Sequence, residues 1–217
     1  MLRSRFTRSL ALTFTALVAM SCSDITAPTA PVAPTQAQNG LLSGLVGTVT
    51  NLLGDVLKVI GFRSDPNGIP VTGVKWADSH ANQTRTVAAT IGYDGGTLSI
   101  PGSDFTITFP RGALSRATAI RITSDASGYV SYDMQPHGLR FNKPVVVTQR
   151  LRNTKVYGTP LALNSFCAYF PNDLLDLNGI LKALEVETTI IFSGSNANAE
   201  FQVWQINHFS RYMLASN

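Results

Sequence analysis

A chain of 217 residues has room for one domain of moderate size with extra segments, and 44% hydrophobic against 14% charged residues suits a β-rich fold with Thr, Ser and Asn on its outer faces. The formal charge of +4 falls to near +1 once Arg3, Arg5 and Arg8 are set aside, because they precede Cys22 with no acid among them and leave 14 basic residues against 13 acidic ones of the original 17 and 13. The composition does not suggest global disorder, and the charge balance gives no electrostatic case for a nucleic-acid partner, which needs Lys and Arg clustered on one face.

Residues 1–21 join the basic start to an apolar run from Leu10 to Met20, the build of an export signal peptide. The run is too short to span a bilayer. Its end, Leu17-Val18-Ala19-Met20-Ser21-Cys22, resembles the lipobox of bacterial lipoproteins, which implies that Cys22 is lipidated and becomes the mature N-terminus. Ala19 and Met20 depart from the commonest form of that motif, and ordinary signal-peptidase cleavage near Ser21 is the alternative. Ser23 after the cysteine, rather than Asp, resembles lipoproteins sent onward to an outer membrane. Residues 22–39 contain Pro28, Pro31 and Pro34 and, Ile25 aside, no large aliphatic or aromatic residue. They read as a tether that reaches roughly 50 Å or less in polyproline II conformation.

Residues 40–62 change character. Leu42, Leu45, Val46, Val49, Leu52, Leu53, Val56, Leu57 and Ile60 recur at spacings of three and four, which predicts an amphipathic helix. Gly44, Gly47 and Gly54 each weaken such a helix by up to about 1 kcal/mol, so outside contacts must hold it. A helix packed on its own domain and one packed on a membrane or partner both remain open. Ser64 to Gly73 reads as a loop through Asp65-Pro66-Asn67-Gly68, and strands begin at Val74, with Trp76 a core candidate.

From Gly95 to Val147 the two-residue period of half-buried strands is clear. Phe105, Ile107 and Phe109 alternate with Thr106 and Thr108, and Ile120 and Ile122 with Arg121 and Thr123. Pro110-Arg111-Gly112, Asp125 to Gly128 and Pro136-His137-Gly138 close the runs, and Leu139-Arg140-Phe141 and Val145-Val146-Val147 follow. This spacing argues for an antiparallel β-sandwich. Arg150 to Tyr157 and Leu161 to Tyr169 read as further strands, and Asn172 to Leu184 as a short helix or a loop. Glu185 to Phe192 and Glu200 to Asn207 read as a hairpin, and Phe209 to Leu214 as the last strand.

Three pieces of this region resemble the ZU-five domain, a β-sandwich of zonula occludens proteins, netrin receptors, ankyrins and many bacterial surface proteins. They are Gly95-Gly96-Thr97-Leu98, Phe109-Pro110-Arg111-Gly112-Ala113-Leu114 and Gly138-Leu139-Arg140-Phe141-Asn142-Lys143-Pro144-Val145. A fourth, His208-Phe209-Ser210, resembles a tripeptide that closes this domain and is a self-cleavage site in some relatives. The resemblance runs from about Thr86 to Leu214 and implies an all-β antiparallel sandwich over 74–217, with Gly95, Gly96, Pro110, Gly112, Gly138, Phe141 and Pro144 in structural roles.

For cleavage, the resemblance implies that His208 takes the Ser210 hydroxyl proton while the oxygen attacks the Phe209 carbonyl and water then hydrolyses the ester. The adjacency lets the serine reach its own preceding carbonyl through a five-membered ring, and the histidine supplies a base titrating near neutrality. Set against this, Phe209, Tyr212 and Leu214 fit an ordinary strand that puts Phe209 on one face and His208 and Ser210 on the other. No HExxH, CxxC or Asp-rich loop supports a metal or cofactor site, and His80, His137 and His208 lie far apart. Cys167 sits in an apolar strand as a buried thiol. The expectation is an exported, lipid-anchored structural or binding module of the cell envelope, in the outer membrane or periplasm, with a protein or glycan partner. A glycan reading needs Trp76, Trp204 or several tyrosines in an exposed platform. The alternative is a self-processing domain cleaving Phe209-Ser210.

Overall fold

A computed structural model describes residues 55–77, 82–171, 181–194 and 198–217. Its strands are β1 Val56–Ile60, β2 Arg63–Gly73, β3 Arg85–Ile91, β4 Gly96–Ile100, β5 Phe105–Phe109, β6 Thr118–Ser124, β7 Ser131–Gln135, β8 Arg140–Arg150, β9 Ser165–Phe170, β10 Leu181–Val186, β11 Thr189–Ser193, β12 Ala199–His208 and β13 Arg211–Ser216, with a 3-10 turn at Pro160–Asn164. Six make one sheet in the order β1-β11-β12-β8-β5-β4, and seven make the other in the order β2-β10-β9-β13-β7-β6-β3. All the pairings are antiparallel. The signal peptide, the tether and residues 40–54 lie outside the described residues.

Alternation builds the sandwich. Phe105, Ile107 and Phe109 of β5 and Ile120 and Ile122 of β6 point into the core between the sheets, where they meet Trp76, Tyr132, Val147, Trp204, Phe209, Tyr212 and Leu214. Outward-facing hydroxyls pair across strands instead, Thr97 with Thr108 at 3.2 Å, Ser99 with Thr106 at 3.0 Å and Thr86 with Thr123 at 3.0 Å. Three buried polar contacts tie one sheet to the other. Tyr132 donates to Gln149 Oε1, Gln202 Nε2 to Ser165 Oγ, and the Cys167 amide to Thr189 Oγ1.

The seven-stranded sheet also folds over itself. β2 pairs with β10 and, through Thr72 and Gly73, with β13, while β9 bridges β10 and β13, so four strands close around a second core. Tyr212 and Leu214 of β13 face the main core, whereas Met213 and Ala215 face the second one beside Phe166, Ala168, Phe170 and Val186. Burial on both faces erases the alternation that sequence reading relies on.

Several expectations are corrected. The end of the segment read as helix, Val56–Ile60, is a strand paired with β11; a short apolar run of valines and isoleucine serves either structure, and an open sheet edge decides it. Ser64 to Gly73 is not a loop but an edge strand whose Pro66-Asn67-Gly68 stretch bulges between the Ser64–Glu185 and Ile69–Ala183 pairs. The sandwich therefore starts before residue 74. Leu139 to Val147 holds one strand, not two, because Pro144 is accommodated within β8. Arg150 to Tyr157 is mostly turns, and Pro160 opens the 3-10 turn where a strand was expected. Residues 172–180 lie outside the described residues, but Leu181 and Leu184 belong to β10. Glu185 to Phe192 is two strands in different sheets, although the expected hairpin is present between β11 and β12.

The motif glycines and prolines gather at one corner. Gly112 donates its amide to Tyr93 O at 2.7 Å, the Lys143 ammonium donates to Arg111 O at 2.8 Å, and the Asn142 amide to Ala113 O at 2.9 Å. Gly95 has φ +77°, and a Cβ there would stand 2.1 Å from the Phe109 carbonyl oxygen. Gly95→Ala combines a left-handed strain with a backbone clash, so it is expected to lower unfolding free energy by at least about 2 kcal/mol in a denaturant titration.

Candidate functional site

His208, Phe209 and Ser210 do not share a strand. His208 ends β12 in the six-stranded sheet and Arg211 begins β13 in the seven-stranded sheet, so Phe209 and Ser210 are the crossover between them. The expected alternation of His208 and Ser210 on one strand face gives way to a corner, because the chain changes sheets here. Phe209 is fully buried, as a core residue. Its ring meets Phe141 at 5.0 Å and Phe109 at 6.0 Å, and those two meet each other at 5.9 Å, all edge to face.

The crossover backbone is clamped. Phe209 donates its amide to Leu139 O at 2.8 Å and accepts from the Gly138 amide at 2.9 Å, while Ser210 O accepts from the Met134 amide at 3.0 Å. The Ser210 hydroxyl, buried at 6% exposure, donates to Phe170 O at 3.4 Å. The His208 ring stands edge-on to Tyr169 at 4.9 Å, and its Nε2 lies 3.8 Å from Glu185 Oε2. Tyr212 donates its hydroxyl to His208 O at 3.0 Å. The structure thus brings the three residues to one corner, with the serine hydroxyl on a main-chain carbonyl and the imidazole facing a carboxylate.

Beside His208 stands Glu185, which the sequence does not single out, and two residues on lies a second carboxyl, Glu187. Glu185 lies at the end of β10 and Glu187 in the crossing between β10 and β11. Burial, and then the charge of Glu185, push the Glu187 carboxyl from 4.5 up to about 8. Burial likewise raises the Tyr212 hydroxyl and the Cys167 thiol, so Cys167 is a core thiol with no thiolate character. Reading Glu185 to Phe192 as one strand hid the turn that buries Glu187.

The other predicted residues separate. Gly95, Gly96, Pro110, Gly112 and Pro144 shape the corner described above, and Gly138, at φ +73°, sits across from Phe209. Cys22 lies outside the described residues. Trp76 and Trp204 are core residues at 1% and 0% exposure, so no tryptophan platform exists on the surface, and Tyr132 and Tyr212 are buried with them. Among the described residues no group of three or more His, Cys, Asp or Glu is placed to hold a metal, and no helix is long and apolar enough to cross a membrane. An apolar-lined hollow of about 410 Å³ opens between Leu57, Pro160, Ala162, Leu163 and Ala199. The chain matches no model of a known protein family and no curated protein.

Glu187 gives the corner a pH signature. Between pH 4.5 and about 8 the folded chain keeps a proton that the unfolded chain has lost, so the stabilisation present below pH 4.5 disappears as pH rises through that window. The slope is on the order of 1 kcal/mol per pH unit. Glu187→Gln should flatten it, with a melting midpoint several degrees above the parent's at pH 8 and a difference that closes toward pH 4.5.

Proposed function

We propose that this protein is an exported β-sandwich, anchored through a lipid on Cys22 and held off the membrane by the tether of residues 22–39, that serves as a structural or binding module of a bacterial cell envelope. The export and anchoring rest on the basic-apolar-cysteine order of residues 1–22. The structural role rests on one observation above others: the Phe209 ring interlocks with Phe109 and Phe141, two residues of the motifs that resemble the ZU-five domain, so the His208-Phe209-Ser210 corner closes the core. The Ser210 hydroxyl is engaged by Phe170 O, which leaves the tripeptide in ordinary hydrogen bonds.

The second reading is self-processing at Phe209-Ser210, and one contact favours it. The Gly138 amide points at the Phe209 carbonyl oxygen from 2.9 Å, where negative charge would develop as the serine oxygen attacked. In that reaction the Ser210 oxygen bonds to the Phe209 carbonyl carbon and the Phe209–Ser210 C–N bond breaks. The departing nitrogen takes up a proton, and water hydrolyses the ester.

Mass spectrometry of the denatured protein separates the two. The expected outcome is a chain uncut at Phe209, with Ser210→Ala shifting the mass by one oxygen only; a fragment beginning at Ser210, absent in that variant, establishes the second reading. Partitioning tests the anchor. The parent is expected in the detergent phase and Cys22→Ser in the aqueous phase, and equal partitioning removes the lipid from the proposal.

A further inference from the structure

The corner built by the motif glycines carries an excess of positive charge. Residues 92–95, 110–117 and 140–143 meet there, through the Gly112 amide on Tyr93 O, the Asn142 amide on Ala113 O and the Lys143 ammonium on Arg111 O. Between them they hold Arg111, Arg116, Arg140 and Lys143 against Asp94 alone, in a chain with only 14% charged residues. Tyr93 stands at the same place at 56% exposure, above the other exposed large hydrophobic side chains among the described residues. A lone exposed ring needs no explanation, but a ring held in place between cations does.

The turn that bears the ring is closed by the Gly95 amide, which donates to Gly92 O at 3.1 Å, and the Arg111 guanidinium lies over the ring at 5.4 Å. Gly112, at φ +82°, makes the room. A Cβ there would come within 3.4 Å of Lys143 Nζ and 3.7 Å of Tyr93 Cε2, so the missing side chain lets the ammonium and the ring stand together. Asp94 Oδ1 lies 3.5 Å from Arg111 Nε, but the two side chains are 88% and 74% exposed. An ion pair so open to water is worth little, and a ligand anion takes the place of Asp94 at small cost.

We propose that this corner binds an acidic polysaccharide, with a sugar ring stacked on Tyr93 and the carboxylate of a uronic acid residue held by Arg111 and Lys143. The open part of the tyrosine ring takes the apolar C–H face of a pyranose, and the guanidinium and ammonium take the carboxylate through charge-assisted hydrogen bonds. Arg116 and Arg140 extend the positive field toward the next acidic residues of the polymer. A nucleic acid fits less well, because four cations fall short of the about six to ten phosphate contacts of a typical binder and one ring is a single stacking platform. An anionic bilayer also fits less well. Leu57, Val59, Leu161 and Leu163, the apolar side chains that could enter it, lie on β1 and the 3-10 turn beside it, and β1 and β4 are opposite edges of their sheet. This ligand belongs to the binding-module reading and rests on it, but it does not depend on the lipid anchor.

Fluorescence anisotropy of labelled tetragalacturonate and of a labelled hyaluronan tetrasaccharide, titrated with the purified full-length protein at low salt, tests this. The expected result is saturable binding of at least one of them, weakened at least about tenfold by methyl esterification of its carboxylates and, separately, by Arg111→Gln and by Tyr93→Ala. Tyr93→Phe is expected to retain binding, because stacking needs the ring and not the hydroxyl. The ester comparison uses the parent protein and holds whatever the variants do to folding. No saturable binding of either oligosaccharide up to about 1 mM protein, equal binding of the ester, or unchanged affinity in either weakening variant overturns the proposal. So does displacement of the label by a single-stranded oligonucleotide, polyglutamate or phosphatidylglycerol vesicles at a lower concentration of charge than unlabelled tetragalacturonate requires. None of these outcomes bears on detergent partitioning or on the mass of the chain, which test the envelope-module reading by themselves.

Discussion

The two sheets hold one register against each other because polar groups buried between them bond across the interface to specific partners. Tyr132 on β7 reaches Gln149 on β8, whose amide nitrogen in turn donates to Ser103 O at 2.8 Å and Arg150 O at 2.8 Å. A purely apolar interface would let the sheets slide at little cost, since Leu, Ile and Val contacts are largely interchangeable. A buried hydroxyl or amide is not: displaced by a residue, it forfeits its bond and costs about 1 to 3 kcal/mol. The Gln202–Ser165 and Cys167–Thr189 contacts pin the sandwich at its other end in the same way. The Phe109–Phe141–Phe209 cluster forms within that fixed frame, at the point where the last strand changes sheets.

Legibility from sequence followed burial. Strands with one wet face, β5 and β6, were readable at residue level because Thr106, Thr108 and Arg121 mark the solvent side. β9, β11 and β13 are buried on both faces, so Phe166-Cys167-Ala168 and Ile190-Ile191-Phe192 carry no period from which to assign a sheet or a partner. The β1 and β2 segments were misread for the opposite reason. Their local chemistry, an apolar three-and-four spacing in one and Pro66-Asn67-Gly68 in the other, argues for helix and loop, and only pairing with β11 and β10 overrides it.

The corner shows the same limit at the level of chemistry. That His208, Phe209 and Ser210 matter together was visible from the tripeptide, and the burial of Phe209 followed from its type. What the tripeptide cannot encode is that residues distant in sequence, Gly138, Phe170 and Glu185, supply the donor to Phe209 O, the acceptor for Ser210 and the charge facing His208. Electrostatics there depend on depth more than on identity. Glu187 lies two residues beyond Glu185, in the crossing between β10 and β11, and burial there is what keeps its carboxyl neutral toward pH 8.

Edge strands are where a sandwich is open to pairing with other chains, and here they are managed. β1 is short, carries Lys58 and breaks register between Val56 and Lys58. β2 carries Pro66 and Pro70, which lack the amide hydrogen a further strand would need, and its end is already paired with β13. At the other side β3 and β4 lie against each other, so each shields the edge of the opposite sheet. With both flanks blunted and the second core closing one outer face, strand addition is a poor route to this molecule. Recognition would fall instead to side chains, and among the exposed apolar ones Leu57 on β1 and Leu163 on the 3-10 turn line the hollow beside Pro160 and Ala199.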